Sequence, residues 1–204
     1  QKNGLFGFVD KTGKETTPLK YSYYSDYGSL ISVCEGSLYG FVDKETGKEV
    51  IPPKYTATSI DNEGRVIVYN GKLFGFVDSK GRETVPPKYD QMPQYYSESM
   101  RSVSKEGLWG FVDENSIEVC PPKYSFVYDF SEGLAAVQAR NWMWGFIDKT
   151  GKEVIPTKYD FASSFSDGLA VVGKLVYGKS KSGFIDKNGN EVVPLKYDYA
   201  NSFK

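Results

Sequence analysis

Short apolar runs of four to six residues, separated by polar turns, follow one another along this chain in a fixed order. One run alternates with a period of two. In Trp144-Gly145-Phe146-Ile147-Asp148, residues Trp144, Phe146 and Asp148 fall on one face and Gly145 and Ile147 on the other, as in a β-strand. A looser run precedes it, seen as Leu30–Val33, Val66–Val68, Met100–Val103, Leu134–Val137 and Leu169–Val172, with Gly28, Gly64, Gly133 and Gly168 just upstream. A third run, Glu-x-x-Pro, follows it and closes on Pro-x-Lys-Tyr. Apolar residues at helical spacing are missing, and the proline blocks a helix through the third run. Each run predicts a strand of ordinary length.

The three runs repeat six times. Gly-Phe-Val/Ile-Asp occurs as Gly7, Phe8 and Asp10; Gly40, Phe41 and Asp43; Gly75, Phe76 and Asp78; Gly110, Phe111 and Asp113; Gly145, Phe146 and Asp148; and Gly183, Phe184 and Asp186. Successive starts are 33, 35, 35, 35 and 38 residues apart. The tyrosine of Pro-x-Lys-Tyr recurs in step, at Tyr21, Tyr55, Tyr89, Tyr124, Tyr159 and Tyr197. Between the markers lies a polar turn with a late glycine, such as Thr150-Gly151-Lys152-Glu153, the pattern of a β-hairpin whose glycine takes positive φ. In the fourth copy Ser116 stands at that position, and it must adopt the same geometry at some cost or use another turn. The missing side chain of the Gly-Phe glycine leaves room for a neighbouring strand to approach.

These observations predict an all-β fold: one repeat domain over residues 1–204, made of six three-stranded antiparallel units of about 35 residues. The units run approximately over 1–28, 29–63, 64–98, 99–132, 133–167 and 168–204, about 17 strands in all. An open, twisted array of these units is expected. A closed β-propeller is the alternative, but its blades need four strands and ~40–45 residues. The six Phe, the six Tyr and the aromatics before glycine (Phe6, Tyr39, Phe74, Trp109 and Trp144) make up 17 of the 32 aromatic residues, and they are expected to stack from unit to unit as the core.

Trp144-Gly145-Phe146-Ile147-Asp148-Lys149-Thr150-Gly151-Lys152-Glu153-Val154-Ile155-Pro156, with Lys158-Tyr159-Asp160 and Phe165-Ser166-Asp167-Gly168-Leu169-Ala170, resembles the WG-repeat family of bacterial proteins. The resemblance runs from about Gly4 to Phe203. The sixth copy departs from it, with Ser182 in place of the aromatic, Lys181 before it, and three extra residues in its approach. The resemblance implies β-rich repeats, a bacterial source, and an accessory or interaction role rather than catalysis. It supplies no reaction and no site residues.

Composition narrows the chemistry. With 25 basic and 26 acidic residues the net charge is −1, which builds no positive field for nucleic acid. No apolar run reaches the ~18 residues of a membrane-spanning helix. The chain opens on Gln1, the mark of a processed or trimmed form, and an extracytoplasmic compartment (periplasm, envelope or secreted) is expected. Cys34 and Cys120 are expected to be buried free thiols. Histidine is absent, which removes histidine-based triads, general bases and metal ligands together. The sequence thus calls for no metal and no cofactor. Paired carboxylates remain the one catalytic route, a glycosidase at most. The Asp series from Asp10 to Asp186, however, is present in every copy and points to structure, with an Asp–Lys–Tyr contact expected along one edge. Glu98, Asp129 and Asp26 lie off the pattern, in loops without special context.

Function is therefore sought where the pattern breaks. Trp142 occupies a turn position that elsewhere holds Gly4, Ser37, Lys72, Gly107 and Ser180, so an exposed indole is expected there. Tyr95 and Tyr96, and Tyr23 and Tyr24, follow Pro-x-Lys-Tyr and are further ligand-binding candidates; Tyr177 in the sixth-copy insertion is another. The expected function is a non-catalytic binding or scaffold module with a protein partner. Carbohydrate or cell-wall binding through exposed aromatics is the alternative.

Overall fold

A computed structural model of the chain describes residues 1–61, 64–92 and 96–201. The chain divides into two compact units, Gln1–Asp90 and Gln91–Lys204. Among the described residues every regular element is a strand. In the N-terminal unit, β1 (Phe6–Val9) pairs with β2 (Glu15–Tyr21). A second sheet follows from β3 (Tyr23–Tyr27), β4 (Leu30–Glu35), β5 (Leu38–Asp43) and β6 (Glu49–Tyr55), and a third from β7 (Ala57–Ile60), β8 (Val66–Asn70), β9 (Leu73–Val77) and β10 (Glu83–Tyr89). In the C-terminal unit, β11 (Met100–Lys105), β12 (Leu108–Asp113) and β13 (Glu118–Tyr124) make a three-stranded sheet. Next come β14 (Phe126–Val127), β15 (Leu134–Gln138), β16 (Trp144–Asp148) and β17 (Glu153–Tyr159), then β18 (Phe161–Ala162), β19 (Ala170–Val176), β20 (Lys179–Ile185) and β21 (Glu191–Tyr197). Among the described residues all strand pairs are antiparallel neighbours in sequence, and no sheet closes on itself.

Four of these sheets have four strands, where the sequence predicts three. The extra strand is the segment directly after Pro-x-Lys-Tyr. In the second sheet β3 pairs with β4 from Tyr23↔Cys34 to Tyr27↔Leu30, covering an edge whose N–H and C=O groups would otherwise be unpaired. In the three-stranded sheet a single bridge, Gln91↔Ser104, stands in that place.

The glycine of Gly-Phe explains the rest of the sheet. Trp144 lies opposite Tyr159 and Phe146 opposite Ile155, so Pro156, Thr157 and Lys158 together face Gly145 alone. This bulge brings β17 down onto β16. A Cβ on Gly145 would sit 2.5 Å from the Ile155 carbonyl oxygen and 2.7 Å from the backbone of Pro156 and Thr157. Gly7, Gly40, Gly75, Gly110 and Gly183 are in the same position, with the nearest backbone atom at 2.2 to 2.7 Å from such a Cβ. The bulge also relieves the proline, which has no N–H to give a regular ladder.

Each motif aspartate caps its own hairpin. Asp148 Oδ1 accepts the N–H groups of Thr150 and Lys152 at 2.9 and 3.1 Å, and Asp186 Oδ1 those of Asn188 and Asn190. Gly13, Gly47, Gly81, Gly151 and Gly189 take φ of +65° to +83° in these turns. Ser116 adopts the same turn at φ +59°, with Asp113 capping Asn115 and Ile117.

The expected Asp–Lys–Tyr contact is therefore corrected. The lysine of Pro-x-Lys-Tyr lies over its neighbouring tyrosine ring in all six copies, 5.0 to 5.3 Å from the centroid. In the N-terminal unit the acid comes from the next repeat's third strand: Glu49 Oε2 accepts from Lys20 Nζ at 2.8 Å and Tyr21 OH at 2.6 Å. Glu83 receives Lys54 and Tyr55 in the same way. The motif aspartate instead caps its own turn.

Packing follows the parity read from the sequence. Trp144, Phe146, Ile155 and Tyr159 of one sheet close against Ala162, Ala170, Val172 and Ile185 of the next. Phe111, Cys120 and Tyr124 likewise meet Ala135, Val137 and Ile147. Cys34 and Cys120 are free and buried, and burial pushes the Cys120 thiol up. The turn glycine touches the preceding repeat, for a Cβ on Gly151 would lie 2.3 Å from the Val119 carbonyl oxygen. Glu98 and Glu132 also tie neighbouring repeats, against the expectation that Glu98 has no special context. Glu98 accepts the Gly133 N–H at 2.9 Å and meets Lys149, and Glu132 accepts the Gly168 N–H and meets Lys187.

Burial raises the Glu49 carboxyl, but the bonds from Lys20 and Tyr21 outweigh it and hold the group below the ordinary glutamate range; Glu83 behaves alike with Tyr55 and Lys54. Burial, then the bond to glutamate, pushes the Tyr21 and Tyr55 phenols up.

Two predictions follow from this geometry. Gly145→Ala forces backbone apart and should destabilise by about 3 kcal/mol in urea titration. Gly133→Ala, which meets only the positive-φ penalty in open space, should lose about 1 kcal/mol. Equal losses would remove the bulge as the constraint. Second, the carboxylate contribution is complete above about pH 4.3 and is lost as pH falls through the lowered folded values. The phenol contribution is complete below about pH 10 and is lost as pH rises through the raised ones. Glu49→Gln with Glu83→Gln should flatten the fall of the thermal midpoint between pH 5 and 3; an unchanged slope would show that these glutamates are not linked to folding.

Candidate interaction surface

The repeated side chains are committed to turns and seams, so the surface is shaped by the residues that differ between copies. Trp142 lies in the β15–β16 connection. Ala139 N–H donates to Met143 O and Trp142 N–H to Ala139 O, both at 2.9 Å. The same pair of bonds closes the turn at Asp10, where Gly13 stands in the place of Trp142, and at Asp148, where Gly151 does. Trp142 is held at φ +69°, a conformation that costs a non-glycine residue about 1–2 kcal/mol. Its side chain is nevertheless 71% exposed, as the sequence pattern predicts. The loop fixes its backbone, since Gln138 Nε2 donates to Trp142 O at 3.2 Å.

Tyr177 occupies the corresponding connection of the next repeat, between β19 and β20. It too has positive φ, +51°, and it is fully exposed. Gly178 follows at φ +74°, giving the pair of left-handed residues of a tight two-residue hairpin.

The other candidates are placed differently. Tyr95 lies outside the described residues. Tyr96 is half-buried, with the guanidinium of buried Arg101 3.8 Å from its ring centroid. Arg101 also donates to Met92 Sδ at 3.0 Å, so Tyr96 belongs to a packed group. Tyr23 and Tyr24 are successive residues of β3 and point to opposite faces. Tyr24 meets Phe6 edge to face at 4.8 Å. Tyr23 opens instead onto a half-open groove of about 250 Å³ that it shares with Tyr27 and Tyr39. Asp26, next along β3, pairs with Lys44; that bond holds its carboxyl below the ordinary range.

Sequence reasoning missed the groove. Tyr39 was assigned to the stacked core, and Tyr27 carried no motif. The available signal was the change in residue size between copies at the positions of Ser25 and Ala57.

Among the described residues no group of three or more His, Cys, Asp or Glu side chains is placed to hold a metal ion. The motif aspartates are hydrogen-bonded within their own turns. Thr150, for example, hydrogen-bonds Asp148 through its side chain and holds that carboxyl below its ordinary value.

No curated protein matches the chain. Among solved structures, Hsv2 from Kluyveromyces lactis is similar at 11% identity and a TM-score of 0.37, over 83% of this chain and 60% of that one. BamB from Moraxella catarrhalis is similar at 10% identity and 0.36, over 89% and 67%. The extracellular domain of the two-component system BT4673 from B. thetaiotaomicron is similar at 16% and 0.35, over 94% and 31%. This chain thus spans three fifths of the length of the Hsv2 chain, and no residue role is carried over from any of these structures. The family model of the WG containing repeat matches residues 6–37, 39–73, 74–109, 109–141, 144–174 and 183–204. Six successive matches, in step with the Gly-Phe glycines and their bulges, make this chain a member of the WG-repeat family.

Proposed function

We propose that the chain is a non-catalytic protein-binding module whose contact surface is carried on the hairpin tips. One observation carries the reading: a 71% exposed tryptophan held at φ +69° in a turn whose counterparts at Asp10 and Asp148 use glycine. An indole in water and a backbone in a costly conformation are both unfavourable for folding. Among the described residues the indole makes no hydrogen bond and no ring contact. Such an outlier points to use in binding, and tryptophan is the side chain most enriched at the energetic centres of protein interfaces. Tyr177, in the same connection of the next repeat, extends the surface with a second exposed aromatic.

The partner is expected to offer an apolar pocket that takes the indole. Residues common to every copy hold the array, which leaves recognition to the residues that differ between copies.

Two measurements check this reading. Trp142→Gly should leave the thermal midpoint unchanged or raise it slightly, because relief of ~1–2 kcal/mol of left-handed strain offsets the ~0.5–1 kcal/mol entropy cost of glycine. A large fall would mean that the indole packs on the fold. Photo-crosslinking from position 141, beside the intact indole, in extract of the host cell, should trap one discrete protein. Trp142→Ala and Tyr177→Ala should each weaken its capture by about tenfold or more. Capture indifferent to both substitutions would remove the hairpin tips from the interface.

A further inference from the structure

We propose that the groove beside Tyr39 is a binding site for one neutral sugar ring. The groove lies in the N-terminal unit, and the inference does not depend on Trp142. Its walls are Tyr23, Ser25 and Tyr27 of β3, Ser32 of β4, Tyr39 of β5 and Thr58 of β7. Ala57 completes the lining. Six of the seven side chains therefore carry a hydroxyl and none carries a charge. Ser32 and Thr58 share a hydrogen bond at 2.9 Å, and Tyr27 OH reaches Thr58 Oγ1 at 3.4 Å. The hydroxyls of Tyr23, Ser25 and Tyr39 have no protein partner among the described residues.

This lining selects by elimination. An anionic or cationic ligand would lose hydration and find no counter-charge. A purely apolar ligand would strand the hydroxyls away from water. A polyhydroxylated ring meets both demands, because each hydroxyl of the wall can donate and accept. The C–H edges of such a ring also suit the negative faces of the tyrosine rings. The volume of about 250 Å³ falls just below the ~300–1,000 Å³ of sites for larger small molecules, which limits the occupant to one ring.

The chain contains its own filled control. The fifth repeat has Phe126 and Tyr128 where the second has Tyr23 and Ser25. It has Ala136 for Ser32, Trp144 for Tyr39, and Phe161 for Ala57. There Tyr128 stacks on Trp144 at 5.2 Å and 21°, and Phe126 packs on both rings at 5.4 and 5.9 Å. The groove of the second repeat is open where Ser25 stands in place of Tyr128, too small to make that stack. Filling it again with Ser25→Tyr reproduces an arrangement the fold already tolerates.

The test is saturation-transfer NMR on the full chain. The probes are the methyl pyranosides of glucose, galactose, mannose and N-acetylglucosamine, each with its trisaccharide. At least one pyranoside should receive saturation on its C–H face, with a dissociation constant of roughly 1 mM. Ser25→Tyr should weaken it at least tenfold with an unchanged circular dichroism spectrum, and Trp142→Ala should leave it untouched. Should Ser25→Tyr not fold, Tyr23→Ala, at a half-exposed position, reads the same loss. A trisaccharide bound tenfold tighter than its pyranoside would identify a glycan chain as the source, and equal binding a free monosaccharide. No transfer to any pyranoside, transfer that survives the filling substitution, or tighter binding of glucose 6-phosphate than of glucose would each overturn the proposal.

Discussion

The contact on which the repeats depend is backbone against backbone: a Pro-x-Lys bulge pressed onto a glycine. Three residues of one strand face a single residue of its neighbour, and no side chain fits between them. The constraint sets much of what surrounds it. The proline is tolerated because the bulge needs no N–H there. The tyrosine that ends the bulge returns opposite the aromatic before glycine, as Tyr159 does opposite Trp144. That places both rings on the face that meets the next sheet. A motif of small and cyclic residues thereby positions the largest side chains of the core.

The second organising feature is the way neighbouring repeats are tied. Each third strand contributes a lysine lying over its own tyrosine. In the N-terminal unit the next repeat supplies the glutamate that receives both. The Tyr21 ring is fully buried and the glutamate is partly open, so the ion pair is screened while the phenol is not. Such an arrangement contributes modestly to stability and strongly to register, because only one sliding position satisfies lysine, tyrosine and glutamate together. Serine, glutamate and glycine turns do the same on another edge of the C-terminal unit, where Ser131 Oγ donates to Phe165 O and Glu132 receives Gly168.

Much of this was legible in the sequence, for physical reasons. A strand has a strict period of two, so Trp144 and Phe146 had to share a face. A glycine with no Cβ, repeated at the same point six times, had to mark close approach. What escaped has equally definite causes. The strand Tyr23–Tyr27 has no clear apolar alternation, because its partner needs its hydrogen bonds more than its side chains. The acid that meets Lys20 and Tyr21 lies 28 residues or more away in sequence, in another repeat, and the nearer aspartates offered a false partner. The groove beside Tyr39 could not be read from any one copy. It is a difference between copies, visible only when Ser25 is set against Tyr128 in the same register.

Those differences locate function better than the motif does. A residue required in every copy is fixed by the seam or the turn and has little freedom to recognise anything. Freedom remains where a hairpin tip or an outer strand is released from both duties. Trp142 and Tyr177 occupy tips whose backbone bonds are satisfied without their side chains. Ser25 and Ala57 lie on outer strands where the filled stack of the fifth repeat is optional. A fold built from one repeated backbone contact can thus carry unlike surfaces on like repeats, since that contact is made by main-chain atoms, whatever side chain stands at its middle position.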